Sequence, residues 1–262
     1  MRHVFVAGGT SGINLGIARG FARHGDAVSV VSRSEDKVAA AVELLKADGP
    51  SAFGTTADVR DPDAVAQALQ AAVDAHGPID VLISGAAGNF PAPVLGMSTN
   101  AFASVVNIDL LGTFHVLRLG HQHLRAPGAS VINISAPQAF LPMALQAHVC
   151  AAKAGVDMLT RTLAMEWGPQ GIRVNSLVPG PIDGTEGMKR LLPDPAMKKQ
   201  LMRTVPLQRM GTVADCADVA LFLASEAARY VSGVVLPVDG GWSLSGAQVS
   251  MAAVAAAAGK AR

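Results

Sequence analysis

Short, β-branched apolar runs alternate along this chain with longer stretches in which apolar residues recur at helical spacing. A strand covered on both faces reads as a continuous apolar run, whereas an amphipathic helix repeats every three to four residues. Val4-Phe5-Val6-Ala7 predicts a first strand, followed by a glycine-rich turn and a helix over 15–24. Further strands are expected at 27–31, within 51–58, and at 79–83, 130–135, 173–178 and 234–238. Helices are expected at 35–48, 62–76, 98–121, 147–167 and 214–225. Seven strands joined by helical crossovers imply right-handed βαβ units. The predicted fold is a single α/β domain of Rossmann type, with a doubly wound, seven-stranded parallel sheet flanked by helices.

Two segments break the rhythm. Residues 181–205 are Gly/Pro-broken, mixed in charge and follow the carboxyl end of a strand, where a segment covering a site belongs. Residues 245–262 are Ala-rich without a packing stripe, and read either as a helix docked on a partner subunit or as a frayed end. The domain is therefore drawn as 1–244, with a lid at 181–205 and a tail at 245–262.

Composition narrows the classes. Half of the 262 residues are apolar but only 4% are aromatic, so Val, Leu, Ile, Ala and Met must fill the core. With 21 basic and 20 acidic residues spread along the chain, no basic stripe marks a nucleic-acid surface. Cys150 and Cys216 have neither metal-ligand spacing nor a disulfide framework, which points to reduced thiols in a cytoplasmic protein and to no metal site. The first strand begins at His3, leaving no room for a signal peptide, and no apolar run approaches the roughly 18 residues of a membrane span.

Chemistry first appears in Ala7-Gly8-Gly9-Thr10-Ser11-Gly12-Ile13, between the first strand and the first helix. Glycines there allow a tight turn and let a pyrophosphate approach backbone at a helix N-terminus. The second strand ends in Ser32-Arg33-Ser34, where NAD-binding folds carry an acidic side chain for the ribose hydroxyls. Hydroxyl, guanidinium and hydroxyl would instead hold a 2′-phosphate, so the expected cofactor is NADP(H).

With these residues the chain resembles the short-chain dehydrogenase/reductase family over about residues 3–243. Asp58-Val59 resembles that family's adenine contact, and Ala86-Ala87-Gly88 its Asn-Ala-Gly segment. Lys153, in Ala151-Ala152-Lys153-Ala154-Gly155, matches its active-site lysine. Pro179-Gly180-Pro181-Ile182 and Val238-Asp239-Gly240-Gly241 match its nicotinamide-side and C-terminal signatures. The resemblance implies cofactor contacts from Gly8, Thr10, Ser11, Gly12, Ile13, Ala86, Lys153, Pro179, Gly180, Ile182 and Thr185, and a homotetramer built on helices 98–121 and 147–167.

The chain departs from the family in two ways. The glycine turn's third glycine is Asn14, which puts the tightness of binding in question. The tyrosine that donates the proton, four residues before the lysine, is Val149, and the supporting serine is Ala136. An alcohol–ketone dehydrogenase needs a phenol or its equivalent, and this sequence has one tyrosine, Tyr230, far along the chain. One branch of the family lacks that tyrosine: the peroxisomal-type 2,4-dienoyl-CoA reductases and their bacterial relatives. Ala86-Ala87-Gly88-Asn89-Phe90, Glu166-Trp167-Gly168-Pro169-Gln170 and Pro181-Ile182-Asp183-Gly184-Thr185-Glu186-Gly187 are similar to that branch.

The expected activity is NADPH-dependent reduction of an unsaturated acyl-CoA. Asp109, a carboxylate inside the apolar stretch Val105-Val106-Asn107-Ile108-Asp109-Leu110-Leu111, must be paired or functional. Asp109 and Lys153 are the candidate catalytic pair. The branch also implies acyl-CoA contacts from Arg60, Phe90, Ser98 and Asn100. His148, five positions before Lys153 on one helix, is expected to be a substrate-wall or structural residue, and separately Lys189 and Arg190 place charge on the lid. The rivals are a carbonyl reductase that has recruited another proton donor such as His148, and a non-catalytic NADP-binding protein.

Overall fold

The computed structural model describes residues 1–185, 188 and 195–244. Strands β1 (His3–Ala7), β2 (Ala27–Ser32), β3 (Ser51–Thr56), β4 (Val81–Ser84), β5 (Ser130–Ile134), β6 (Arg173–Pro179) and β7 (Val235–Val238) make one sheet. Their order is β3-β2-β1-β4-β5-β6-β7, and every neighbouring pair is parallel. The connecting helices are α1 (Gly12–Arg23), α2 (Glu35–Asp48), α3 (Pro62–His76), α4 (Thr99–Val106), α5 (Gly112–Gly120), α6 (Ala147–Trp167), α7 (Pro195–Thr204) and α8 (Val213–Leu223). The chain winds outward from β1 to β3, then returns to the other side of β1 as β4. A crevice opens at the carboxyl ends of the strands on either side of that reversal.

The continuous apolar runs divide by side-chain parity into two cores. Val4, Val6, Val28, Val30, Val81 and Ile83 face a core with Ile17 and Phe21 of α1, Leu45 of α2 and Leu223 of α8. Phe5, Ala7, Val31, Leu82 and Val131 face the opposite core, with Leu69 of α3, Val116 and Leu117 of α5, and Trp167 of α6. The period of two therefore operates even where both faces are apolar. Phe5 and Phe21 are buried completely, each contributing about 1.5–3 kcal/mol of transfer free energy.

Several boundaries differ from the sequence pattern for local reasons. Helix α1 begins at Gly12 because Ser11 is extended and its carbonyl accepts from Leu15 N at 3.2 Å. Ile79 makes only an isolated bridge to Leu124, so β4 starts at Val81. The long helix expected over 98–121 is interrupted by a π-helical turn, Asn107–Leu111, in which Gly112 N donates to Asn107 O. Such single wide turns often occur at functional sites. Against the expectation from uninterrupted apolar runs, Thr99–His123 has the length and apolar composition of a membrane-crossing helix. Here one face packs into the domain through Val105, Val116 and Leu117, while Phe102, Leu111 and Phe114 are exposed on the other.

The expected lid is described at 181–185, 188 and 195–205, with α7 in its second half. Lys189, Arg190, the Glu186-Gly187 end of the lid motif and the tail 245–262 lie outside the described residues.

Candidate active site

The crevice contains two adjoining hollows. The first is a groove of about 460 Å³ along the ends of β1, β2 and β4. The turn after β1 makes its floor, with Gly8 at φ 76° and Gly12 at φ 55°. A Cβ on Gly8 would lie 2.9 Å from the backbone of Ala86, so only glycine permits this approach. At the N-terminus of α1 the Ser11 side chain makes no capping bond, and Ser11 itself lines the groove, so this helix end suits an anion.

At the end of β2, Ser32, Arg33, Ser34 and Lys37 line the same groove. The Ser32 hydroxyl is buried without a hydrogen-bond partner among the described residues. The groove ends on Asp58, Val59 and Arg60. Hydrogen bonds from the Arg60 guanidinium hold the Asp58 carboxyl below the usual carboxylate range. A cradle that a Cβ would fill, a free helix N-terminus and an unpaired hydroxyl beside two cations fit a phosphorylated dinucleotide.

The second hollow is a cavity of about 590 Å³ lined mainly by apolar atoms. Asp109 and Lys153 meet on its wall. The π turn carries Asp109 inward, where it is 1% exposed; its Oδ1 accepts from Gly88 N at 2.7 Å and its Oδ2 lies 3.3 Å from Lys153 Nζ. Lys153 Nζ also donates to Ile134 O at 3.1 Å. Gly155 lets α6 approach this helix closely, since a Cβ there would meet Leu110 at 2.9 Å. Val149 and Ala136, at the positions of the missing tyrosine and serine, both line the cavity, so its wall is apolar where a phenol would stand. Tyr230 is fully exposed and is not on the wall. One helical turn beyond Lys153, burial raises the carboxyl of Asp157 above the usual range.

Most expected cofactor residues gather here. Gly8, Thr10, Ser11, Ser32, Arg33, Ser34, Asp58, Val59 and Ala86 line the groove; Ile13, Lys153, Pro179 and Gly180 line the cavity. Gly12 shapes the turn, Ile182 is buried and bridged to Gly211, and Thr185 Oγ1 donates to Ile182 O at 3.1 Å.

None of the five expected acyl-CoA residues lines this cavity. Arg60 sits on the dinucleotide groove, drawn there by its ion pair with Asp58. Ser98 is engaged as the N-cap of α4, accepting from Ala101 N at 3.1 Å. Asn100 is exposed on the first turn of α4. Phe90 and His148 pack on each other with ring centroids 4.5 Å apart. His148 is fully buried, and neither ring nitrogen is bonded among the described residues. The wall also includes Ser135, Met143, Gln146, Met188, Leu201 and Trp242. Met143 and Gln146 lie in a stretch with no periodicity to betray them.

A parallel sheet with a glycine turn, an anion-ready helix end and a lysine beside a second hollow defines a nicotinamide-dinucleotide oxidoreductase. A family model described as Enoyl-(Acyl carrier protein) reductase matches residues 7–243. The peroxisomal 2,4-dienoyl-CoA reductase [(3E)-enoyl-CoA-producing] of Rattus norvegicus is 48% identical over 239 residues, 90% of this chain and 82% of its own length. The probable 2,4-dienoyl-CoA reductase [(2E)-enoyl-CoA-producing] of Bacillus subtilis (strain 168) is 37% identical, over 91% of this chain and 95% of its own. A short-chain type dehydrogenase/reductase from Mycobacterium ulcerans superposes with a TM-score of 0.88 at 32% identity, covering 93% of this chain and 90% of that one. The chain belongs to the short-chain dehydrogenase/reductase family.

Proposed function

We propose that this protein is an NADPH-dependent 2,4-dienoyl-CoA reductase. The observation that carries the reading is the cavity wall: Val149 and Ala136 stand where an alcohol dehydrogenase needs its proton donor, while Asp109 and Lys153 are paired beside them. The names of relatives at 48% and 37% identity point the same way.

When bound, the nicotinamide supplies a hydride to the far alkene carbon of the dienoyl thioester. Negative charge then moves through the conjugated system to the thioester oxygen, and no hydroxyl forms, so no phenol is needed. Lys153 has three N–H donors; Ile134 O takes one, and the ammonium, 3.3 Å from Asp109 Oδ2, has donors left for the cofactor ribose or the developing charge. A water held by Asp109 gives a proton to carbon and is reprotonated from bulk solvent. Protonation next to the thioester leaves the (3E) double bond, the product in the name of the rat relative.

A carbonyl reductase working through His148 is less favoured, because that ring has no exposed surface and lies off the cavity wall. The test is NADPH oxidation with 2,4-dienoyl-CoA against simple ketones and sugars, followed by product analysis. Oxidation with the ketones alone would overturn the reading. In the same assay NADPH should be preferred over NADH by roughly tenfold, about 1.4 kcal/mol, through Arg33 and Lys37. Arg33→Asp should erase most of that preference, and equal affinities in the unmodified protein would remove the argument for NADPH.

The exposed faces of α4, α5 and α6 support assembly into a homotetramer. Phe102, Leu111 and Phe114 make one stripe, while Ala151, Ala154, Met158 and Met165 make another at helical spacing. Apolar stripes on adjacent long helices suit a closed symmetric interface with a second copy. Light scattering at micromolar concentration should give a tetramer, or at least a dimer; a clean monomer would count against this face. Residence in the cytoplasm is proposed from the two free cysteines alone.

A further inference from the structure

Asn14 stands in the first turn of α1, where the glycine turn resembles its family in all but this residue. Its side chain lies at the junction of the two hollows: Asn14, Gly85 and Ala87 line both of them. The Asn14 Nδ2 donates to Gly85 O at 2.6 Å and to Gly8 O at 3.3 Å. Two carbonyls facing one end of the amide fix which end is nitrogen, since only the NH₂ can donate to them. The opposite surface is complementary: a Cβ on Gly85 would lie 2.5 Å from both the nitrogen and the oxygen of the Asn14 amide. Residue 14 thus fills the space that residue 85 vacates.

The segment starting at Gly85 ends at Gly88, whose N–H is held by Asp109 Oδ1 at 2.7 Å. One end is therefore fastened to the dinucleotide turn and the other to the Asp109–Lys153 pair. We propose that Asn14 is a positioning residue, interlocked with Gly85, that fixes the 85–88 segment against the dinucleotide turn and so sets the register between the nicotinamide and Asp109. The proposal rests on the dinucleotide site and on Asp109 as part of the reacting centre, but not on which unsaturated thioester is reduced. Displacements of about an ångström at such a joint can slow a reaction by up to about 10²-fold without abolishing binding.

The test is a double-mutant cycle of Asn14→Gly and Gly85→Ala. Three measurements are made: NADPH affinity by fluorescence titration, the single-turnover hydride-transfer rate, and hydrogen exchange at 86–88. Gly85→Ala alone should weaken NADPH binding by about tenfold or more, because its methyl group collides with the Asn14 amide. Asn14→Gly alone should leave NADPH affinity within about threefold, slow hydride transfer by about tenfold at unchanged acyl-CoA KM, and speed exchange at 86–88. In the double variant the Gly85→Ala defect in NADPH binding should disappear. Asn14→Asp, which keeps the size but cannot donate to carbonyls, should transfer hydride more slowly than Asn14→Gly. Equal Gly85→Ala defects with and without Asn14, or a hydride-transfer rate in Asn14→Gly within about twofold of the unmodified protein, would overturn the proposal. Failure of the dienoyl reading would look different: the binding and exchange effects would persist with no dienoyl-CoA turnover to measure.

Discussion

Asp109→Asn should lower kcat on a 2,4-dienoyl-CoA by about 10²-fold or more, the usual size of a lost acid–base contribution, with NADPH affinity nearly unchanged. Asparagine keeps the shape and can still accept the 2.7 Å bond from Gly88 N, so the 85–88 segment stays where it is. What disappears is the negative charge 3.3 Å from Lys153 Nζ and, with it, the group proposed to hold the proton-delivering water. Asp109 does not line the dinucleotide groove, which is why binding and turnover should separate. Stopped-flow NADPH oxidation and a fluorescence titration measure the two. His148→Ala is the companion variant. It removes a buried ring packed on Phe90 and should cost stability more than turnover. If Asp109→Asn stays nearly fully active while His148→Ala is dead, the proton path runs through the imidazole and carbonyl reduction becomes the better reading.

The sheet was legible because its signals are local. Continuous Val/Ile/Leu runs, spaced by helical stretches, leave little choice but parallel strands with crossovers, and six of the seven expected strands begin within one residue of where they lie. Ile79 was misread because an apolar residue beside a strand looks like part of it; its partner, Leu124, is on a different segment and could not be seen from sequence. The dinucleotide groove was legible for the same reason as the strands. Its glycines and the Ser32-Arg33-Ser34 triplet sit at strand ends, and strand ends form the crevice.

The wall of the second hollow was less legible because it is assembled from segments distant in sequence. Ser98 caps a helix and Arg60 pairs with a carboxylate two residues away, and neither bond depends on a substrate. The π turn was invisible as well. An apolar helix with one aspartate announces that the aspartate is unusual, but not that the backbone widens around it. Asn14 was visible only as a missing glycine. Its reciprocal fit with Gly85, which converts a defect in the motif into a clasp, required coordinates.

The second large effect concerns Lys153 and distinguishes its chemistry from its charge. Lys153→Ala should reduce turnover by roughly 10²–10³-fold, as for the loss of one preorganised donor to developing negative charge. It should also weaken NADPH binding, because Lys153 lies on the wall of the cavity that adjoins the dinucleotide groove. There is a structural cost too. Asp109, 1% exposed, would keep only the Gly88 N–H as partner, and breaking a buried pair in this way costs on the order of 3–5 kcal/mol. The melting temperature of Lys153→Ala should therefore fall clearly. Adding Asp109→Asn removes the stranded charge, so the double variant should recover much of the stability while remaining inactive. Thermal unfolding and single-turnover rates on the four proteins separate the outcomes. If activity returns along with stability in the double variant, Lys153 serves only to neutralise Asp109, and the stabilisation of substrate charge must come from the backbone amides of the cavity instead.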